Sequence, residues 1–166
     1  MAWRVRAGLL MYRVRFGGLE VFLGHQGSPT SGSEDAEEWT IPKGGQARFE
    51  SLLQAAQREF EEEVGFRPRG PYLDLGSIQQ KNGKVVHVWA FEGDWNADTP
   101  IRSHLRETEW PPASGQTQLR PELDQARFFS IAEAREKLRG SQRPFLDRLE
   151  AQLKPSHSDG VRSAHS

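Results

Sequence analysis

The chain reads as an α/β domain, a mixed β-sheet sandwiched between helices. In the segment Val85–Phe91, Val85, His87, Trp89 and Phe91 alternate with Val86, Val88 and Ala90. Both faces of that strand are largely apolar, as in a sheet covered on both sides. Leu53, Ala56, Phe60 and Val64 recur at helical spacing between strand-like segments, and two further helical patterns close the chain. At 166 residues there is room for one domain with a sizeable core, and too little for two ordinary ones. That domain is expected over 1–153, with 154–166, punctuated by Ser, His and Gly, as a flexible tail.

Taken in order, Trp3–Val14 reads as a first strand, Gly17-Gly18 as a turn and Leu19–Gly24 as its hairpin partner. His25–Glu38 is rich in Gly, Ser, Pro and acidic residues, with no apolar period, and reads as a loop. Pro42 biases Ile41 toward extended backbone, so a short strand is expected ahead of Gly44-Gly45. A helix should start near Glu50 or Ser51 and stop at Gly65. Tyr72–Gln80 and Lys84–Glu92 read as strands joined at the favoured hairpin pair Asn82-Gly83. From Asp94 to Gln125 the pattern dissolves into polar residues and prolines, which predicts a long loop, often a functional one. Ala126–Ser130 reads as a last strand. Ser130 and Glu133 form a capping box for a helix over Ile131–Arg139 that Gly140 ends, and a final helix follows over Pro144–Leu153.

Composition narrows the class. Hydrophobic residues at 36% and charged residues at 27% fit a soluble globular domain rather than a disordered one. A net charge of −1 supplies no global field for nucleic acid or anionic membrane. No apolar run approaches the roughly 18 residues a membrane span needs, and arginines interrupt the apolar start of the chain. Without cysteine there are no disulfides, thiolate nucleophiles or cysteine zinc sites, and a cytoplasmic protein is the simplest expectation.

The chemistry concentrates in Gly44–Phe66, GGQARFESLLQAAQREFEEEVGF. Glu59, Glu62 and Glu63 stand at i, i+3 and i+4, so on a helix they share one shoulder beside the apolar stripe. Like charges at that spacing repel, and by themselves describe a solvated acidic face. A divalent cation would turn the repulsion into ligation, because hard cations take carboxylate oxygens.

The spacing Gly44, Glu50, Arg58-Glu59-Phe60, Glu62-Glu63, Gly65-Phe66 fills every specified position of G-x5-E-x7-R-E-U-x-E-E-x-G-U, with U a bulky apolar residue. The chain thereby resembles the Nudix hydrolases. The resemblance implies the Nudix α/β/α sandwich and hydrolysis of a nucleoside diphosphate linked to another moiety, assisted by Mg²⁺ or Mn²⁺. Carried over to matching positions, it makes Glu59, Glu62, Glu63 and the Gly44 carbonyl the metal ligands. Glu59 or Glu62 would double as the base that activates water. Arg58 and Glu50 would be an orienting pair that holds the loop on the helix. Lys43 is a candidate for a phosphate oxygen.

Family members often bring a further acid from a late loop. Glu122 is the candidate, with Glu107 and Glu109 as rivals. Trp39, His87, Trp89 and Trp110 are candidates for stacking on a base, against the commoner role of aromatics as core. One position departs from many such boxes: Phe49 stands where glycine usually precedes the first glutamate, so a different path for the Gly44–Phe49 loop is expected.

Trp39 with Pro42-Lys43-Gly44 is similar to the W-x-x-P-K-G approach of diadenosine tetraphosphate hydrolases, as are the opening AWRVRAGLLMYR and the ending Gly140 to Leu146. The stretch Arg106–Pro121 has no counterpart there. A MutT-like nucleoside triphosphate pyrophosphatase, a hydrolase of diphosphoinositols or RNA 5′ ends, and a nucleotide-binding module without catalysis are the alternatives. A small-molecule nucleotide is the expected partner, with no membrane, and nucleic acid only as RNA 5′ ends; the sequence does not set an oligomeric state.

Overall fold

The computed structural model describes residues 5–26, 39–96, 101–109, 113–121 and 123–154. Most of the expected 25–38 loop, Trp110, Glu122 and the tail from 155 onward lie outside the described residues.

The main sheet is built on β1 (Val5–Arg15), which pairs along one edge in parallel with β6 (Val85–Glu92), from Val5↔Val85 to Tyr12↔Glu92. β5 (Leu73–Gln79) pairs antiparallel with the other edge of β6, the two strands joined through the Asn82-Gly83 turn. The other edge of β1 is shared between two partners. Its second half pairs with β2 (Gly18–His25), at Tyr12↔Val21 through Arg15↔Gly18. Its first half pairs instead with β4 (Lys43–Gly45), at Arg6↔Gly45, Ala7↔Gly44 and Gly8↔Lys43. The far end of β2 meets β3 (Trp39–Thr40), and its outer edge carries β9 (Gln125–Ser130). Segment 39–45 thus enters the sheet as a wedge where β1 and β2 diverge. The expected single short strand is two shorter ones, separated at Ile41-Pro42. Pro42 has no N–H for a ladder, but its carbonyl accepts from Leu9 N at 3.2 Å.

Helix α1 (Leu52–Val64) lies on one face of the sheet. Its N-terminus is closed by a reciprocal capping box, with Gln54 N donating to Ser51 Oγ at 3.1 Å and Ser51 N donating to Gln54 Oε1 at 2.9 Å. Gly65, at φ 103°, ends it, and its N–H donates to Glu61 O at 2.9 Å. Ala55, Ala56, Phe60 and Val64 pack on Ala7, Leu9, Met11, Phe22 and Phe91. Burying Phe60 and Val64 stabilises this face by roughly 1.5–3 kcal/mol per side chain.

The opposite face carries α2 (Ile131–Lys137) and α3 (Pro144–Leu153). Ala134, Phe145, Leu146 and Leu149 from these helices cover Leu10, Val86, Val88, Ala90 and Trp39. The two clusters confirm a mixed sheet with helices on both faces, an α/β sandwich. The Ser130–Glu133 capping box is present. α2 stops at Lys137, short of the expected Arg139, because Leu138 turns extended and bridges Trp39 while Arg139 N donates to Trp39 O at 3.1 Å. Gly140 then opens a short 3₁₀ turn, Gly140–Gln142.

The 94–125 region departs from expectation: it contains the hairpin β7 (Leu105–Glu109) and β8 (Thr117–Pro121). These strands lack apolar alternation, and their leucines, Leu105 and Leu119, are 60% and 64% exposed. Periodicity therefore had nothing to detect. Glu109 shapes the connection, accepting from Ala113 N at 3.0 Å and Gly115 N at 3.2 Å. Just before the hairpin, Arg102 N and His104 N donate to Val64 O and Glu62 O at 3.1 and 2.8 Å, satisfying carbonyls at the end of α1. Just after it, Leu123 is buried against Gly24, and Leu123 N donates to Ser103 Oγ at 3.0 Å. Among the described residues, no helix is long and apolar enough to cross a membrane.

Candidate active site

The wedge decides which side chains reach α1. Gly44 lies opposite Ala7, and Ala7 in turn lies beside His87 on β6. Gly44, Ala7 and His87 form a row across three strands, with about 4.8 Å between neighbours. A Cβ on Gly44 would overlap the Glu59 carboxyl, so only glycine lets that carboxyl settle on the strand backbone. Glu59 and Glu63 are 6% and 2% exposed, facing the sheet, whereas Glu62 keeps part of its side chain in solvent. Helical spacing put the three on one shoulder; the packing separates them into two buried carboxylates and one at the rim.

Arg58 organises this group. Its guanidinium grips Glu50 in bidentate fashion, Nε to Oε2 at 2.8 Å and Nη2 to Oε1 at 3.0 Å. Nη2 also donates to Gly45 O at 2.9 Å, and Glu50 Oε1 accepts from Ala47 N at 2.8 Å. These contacts clasp the Gly45–Glu50 loop to the helix, as an orienting pair must. From the same guanidinium, Nη1 reaches Glu59 Oε1 at 3.1 Å and Glu62 Oε2 at 3.2 Å. Arg58 holds the Glu50 carboxyl below its ordinary range, aided by the Ala47 N–H. Glu50 in turn raises the Arg58 guanidinium further, so it stays charged throughout the working range.

The donor set suits a hard divalent cation. It is entirely oxygen, anionic, and partly sunk below the surface against a glycine that leaves room. Among the described residues, no three carboxylate or imidazole side chains stand close enough to form a ready-made metal cage. The residues fit the ion by chemistry and by the cradle at Gly44, with Arg58 Nη1 now shared by Glu59 and Glu62.

The other candidates separate by strand parity. Lys43 neighbours Gly8, and a Cβ on Gly8 would point at Lys43 Cβ and Ile41, so the Lys43 side chain leaves the sheet on the face away from α1. There Nζ donates to Thr40 Oγ1 at 3.1 Å. Burial, aided by the nearby Arg6 charge and opposed by Glu63, pushes the ammonium down to about 8. A direct clamp by Lys43 on a phosphate beside Glu59 is not what this placement offers. Trp39 is also on the far face. It is 3% exposed, with Phe129 edge-on at 4.8 Å and the His25 ring at 5.0 Å, so it is core and has no open face for a base.

His87 is on the α1 side and half-buried, with its ring stacked on Trp89 at 4.2 Å and Nε2 2.7 Å from Asp74 Oδ1. Against the raising effect of burial, the Gly76 N–H and His87 hold the Asp74 carboxyl below its usual range. Of the late acids, Glu109 is spent on the hairpin turn and Glu107 stands exposed on β7. Glu122 lies outside the described residues. Its neighbours Leu123 and Asp124 are fastened close to the wedge, Asp124 through Oδ1 to His25 Nδ1 at 2.7 Å and through its N–H to His25 O at 3.0 Å. That fastening was invisible in the sequence, because it depends on Gly24 making room for Leu123.

A family model described as a NUDIX domain matches residues 3–149. No curated protein matches the chain. Among solved structures, it is similar to an Ap4A hydrolase from C. elegans in a binary complex, at 20% identity and TM-score 0.61, covering 89% of this chain and 97% of that one. It is also similar to the NUDIX domain of Shewanella oneidensis NrtR complexed with ADP ribose, at 14% identity and TM-score 0.64, covering 93% and 90%. A MutT protein from Methanosarcina mazei Go1 aligns at 19% identity and TM-score 0.58, covering 92% and 96%. At these identities the likeness speaks for the fold.

Proposed function

Because the chain belongs to the NUDIX domain family, and is by that membership a pyrophosphohydrolase, we propose that it hydrolyses a nucleoside diphosphate-linked small molecule, with Glu59, Glu62, Glu63 and the Gly44 carbonyl holding Mg²⁺ or Mn²⁺. The observation that carries this reading is the packing of the Glu59 carboxyl onto Gly44 beside the buried Glu63. Burying carboxylates is costly to a fold, and that cost has a purpose if the pair serves a ligand.

When bound, a divalent ion neutralises phosphate charge and lowers the pKa of a coordinated water. The chain's own residues supply the rest. Arg58, anchored on Glu50 and Gly45 O, fixes the loop against the helix, so that Gly44 and the glutamates keep one geometry. Glu59 or Glu62 takes a proton from attacking water in this reading, and Glu62 is the more solvent-exposed of the two. Arg58 Nη1 bonds one oxygen of Glu59 and one of Glu62, so each carboxylate would have its other oxygen to offer the ion.

Diadenosine tetraphosphate is the favoured substrate. The Trp39, Pro42-Lys43-Gly44 pattern supports it, as does the likeness to an Ap4A hydrolase fold. In the site as built, Trp39 and Pro42 serve that pattern by forming the wedge rather than by touching substrate. The test is product release from a panel of dinucleoside polyphosphates, nucleoside triphosphates and sugar nucleotides with Mg²⁺ or Mn²⁺, then with EDTA. Metal-dependent turnover, strongest on the dinucleotide, is expected. No turnover on any member would favour a nucleotide-binding module instead.

A further inference from the structure

Phe49 is 96% exposed and sits at φ 61°, a left-handed conformation that a bulky residue enters at a cost and glycine enters freely. Its position immediately precedes Glu50, in the loop that Arg58 clasps. The backbone there thus keeps a shape suited to glycine, while the side chain contributes nothing to the core. A large aromatic ring held in water on a disfavoured backbone calls for a partner.

The surroundings say what kind. The ring borders a cleft of about 670 Å³ on the solvent side of α1, lined also by Arg48, Gln57, Arg58, Glu61 and Arg67. Arg58 and Arg67 are matched by Glu50 and by Glu61, the latter at 3.5 Å. Among the described residues, Arg48 meets no carboxylate, and its guanidinium lies 5.4 Å from the centre of the Phe49 ring, within cation–π range. An open aromatic face beside an arginine without an ion pair is the chemistry that stacks a nucleobase and attracts the phosphate attached to it. Arg58 lines this cleft, and its guanidinium touches Glu59 and Glu62.

We propose that Phe49, with Arg48, is a specificity-determining platform that stacks a nucleobase of the substrate while its phosphates reach the α1 carboxylates. The proposal rests on the hydrolase reading for the position of those phosphates. The platform itself binds whether or not turnover follows.

The experiment compares wild type, Phe49→Gly and Phe49→Trp in two arms. In the first, KM and kcat are measured on diadenosine tetraphosphate and on inorganic tripolyphosphate, which has no base. In the second, AMP and ribose 5-phosphate binding are measured by calorimetry. Phe49→Gly is expected to weaken AMP binding and raise the dinucleotide KM by about tenfold, with kcat little changed. Tripolyphosphate and ribose 5-phosphate should not notice the change, and Phe49→Trp should retain wild-type behaviour. Because glycine relieves the backbone, Phe49→Gly should melt no lower than wild type, which separates lost stacking from lost folding. Equal binding of AMP and ribose 5-phosphate by wild type, or unchanged AMP binding in Phe49→Gly, would overturn the platform. Absence of turnover in wild type would instead count against the hydrolase reading, leaving the binding arm to decide on Phe49.

Discussion

Two neighbouring residues in the wedge, Lys43 and Gly44, face opposite sides of the sheet and meet opposite kinds of polar burial. Behind Lys43 the Gln142 amide, the Thr40 hydroxyl and the Ile41 N–H satisfy one another. Gln142 Oε1 accepts from Ile41 N at 2.9 Å, Gln142 Nε2 donates to Thr40 Oγ1 at 2.9 Å, and Lys43 Nζ donates to that same oxygen. In front of Gly44, two carboxylates are buried, and one of them, Glu59, meets a guanidinium already engaged with Glu50. The first arrangement holds β3 and β4 to the turn after α2 and serves the fold. The second keeps anionic oxygens buried, the placement proposed above to serve a ligand. Strand parity alone assigns the two roles.

Gly44 is where the two faces differ most. Gly44→Ala drives a Cβ into the Glu59 carboxyl and is expected to cut turnover by about a hundredfold or more, as loss of a positioned charged group does, while circular dichroism still reports a folded chain. Glu63→Gln should likewise lose orders of magnitude in turnover while circular dichroism still reports a folded chain. On the other face the pattern should invert. Gln142→Ala orphans Ile41 N and takes one partner from Thr40 Oγ1, and should cost about 1–3 kcal/mol in denaturant unfolding, with turnover per folded molecule unchanged. A Gln142→Ala protein of normal stability would show that the far-face network is dispensable.

Smaller effects come from acid. Arg58 holds Glu50, and Arg13 holds Asp94, below the ordinary carboxylate range, and Asp74 is held there by Gly76 and His87. A carboxylate whose folded pKa is depressed contributes stability that is complete above its unfolded value, near pH 4. That contribution is lost as pH falls through the lower folded value. Melting temperature should therefore be flat from neutral pH down to about 4.5 and fall below about 4. Glu50→Gln should flatten part of that fall, and an identical acid profile would remove Glu50 from the set.

Much of this was legible from local chemistry. Ser51 with Gln54 and Gly65 mark the ends of α1, Asn82-Gly83 marks a hairpin, and the register of Glu59, Glu62 and Glu63 marks the acidic shoulder. Each is decided within a few residues. What depended on long-range register was not legible. Whether Lys43, Trp39 or His87 faces α1 follows from how β4 docks on β1 and how β1 runs beside β6, and no local pattern encodes either. The hairpin β7–β8 was hidden because its strands bury no apolar stripe. Phe49 stands in the sequence as a departure from glycine, and its φ and its exposure give that departure a meaning.

In the proposed site, the α1 carboxylates beside Gly44 bind a divalent ion. Water-proton relaxation during a Mn²⁺ titration reads this without any substrate. Wild type should bind Mn²⁺ and Glu63→Gln at least about tenfold more weakly, as expected when a coordinating carboxylate is lost. Equal Mn²⁺ binding by the two proteins would contradict the assignment.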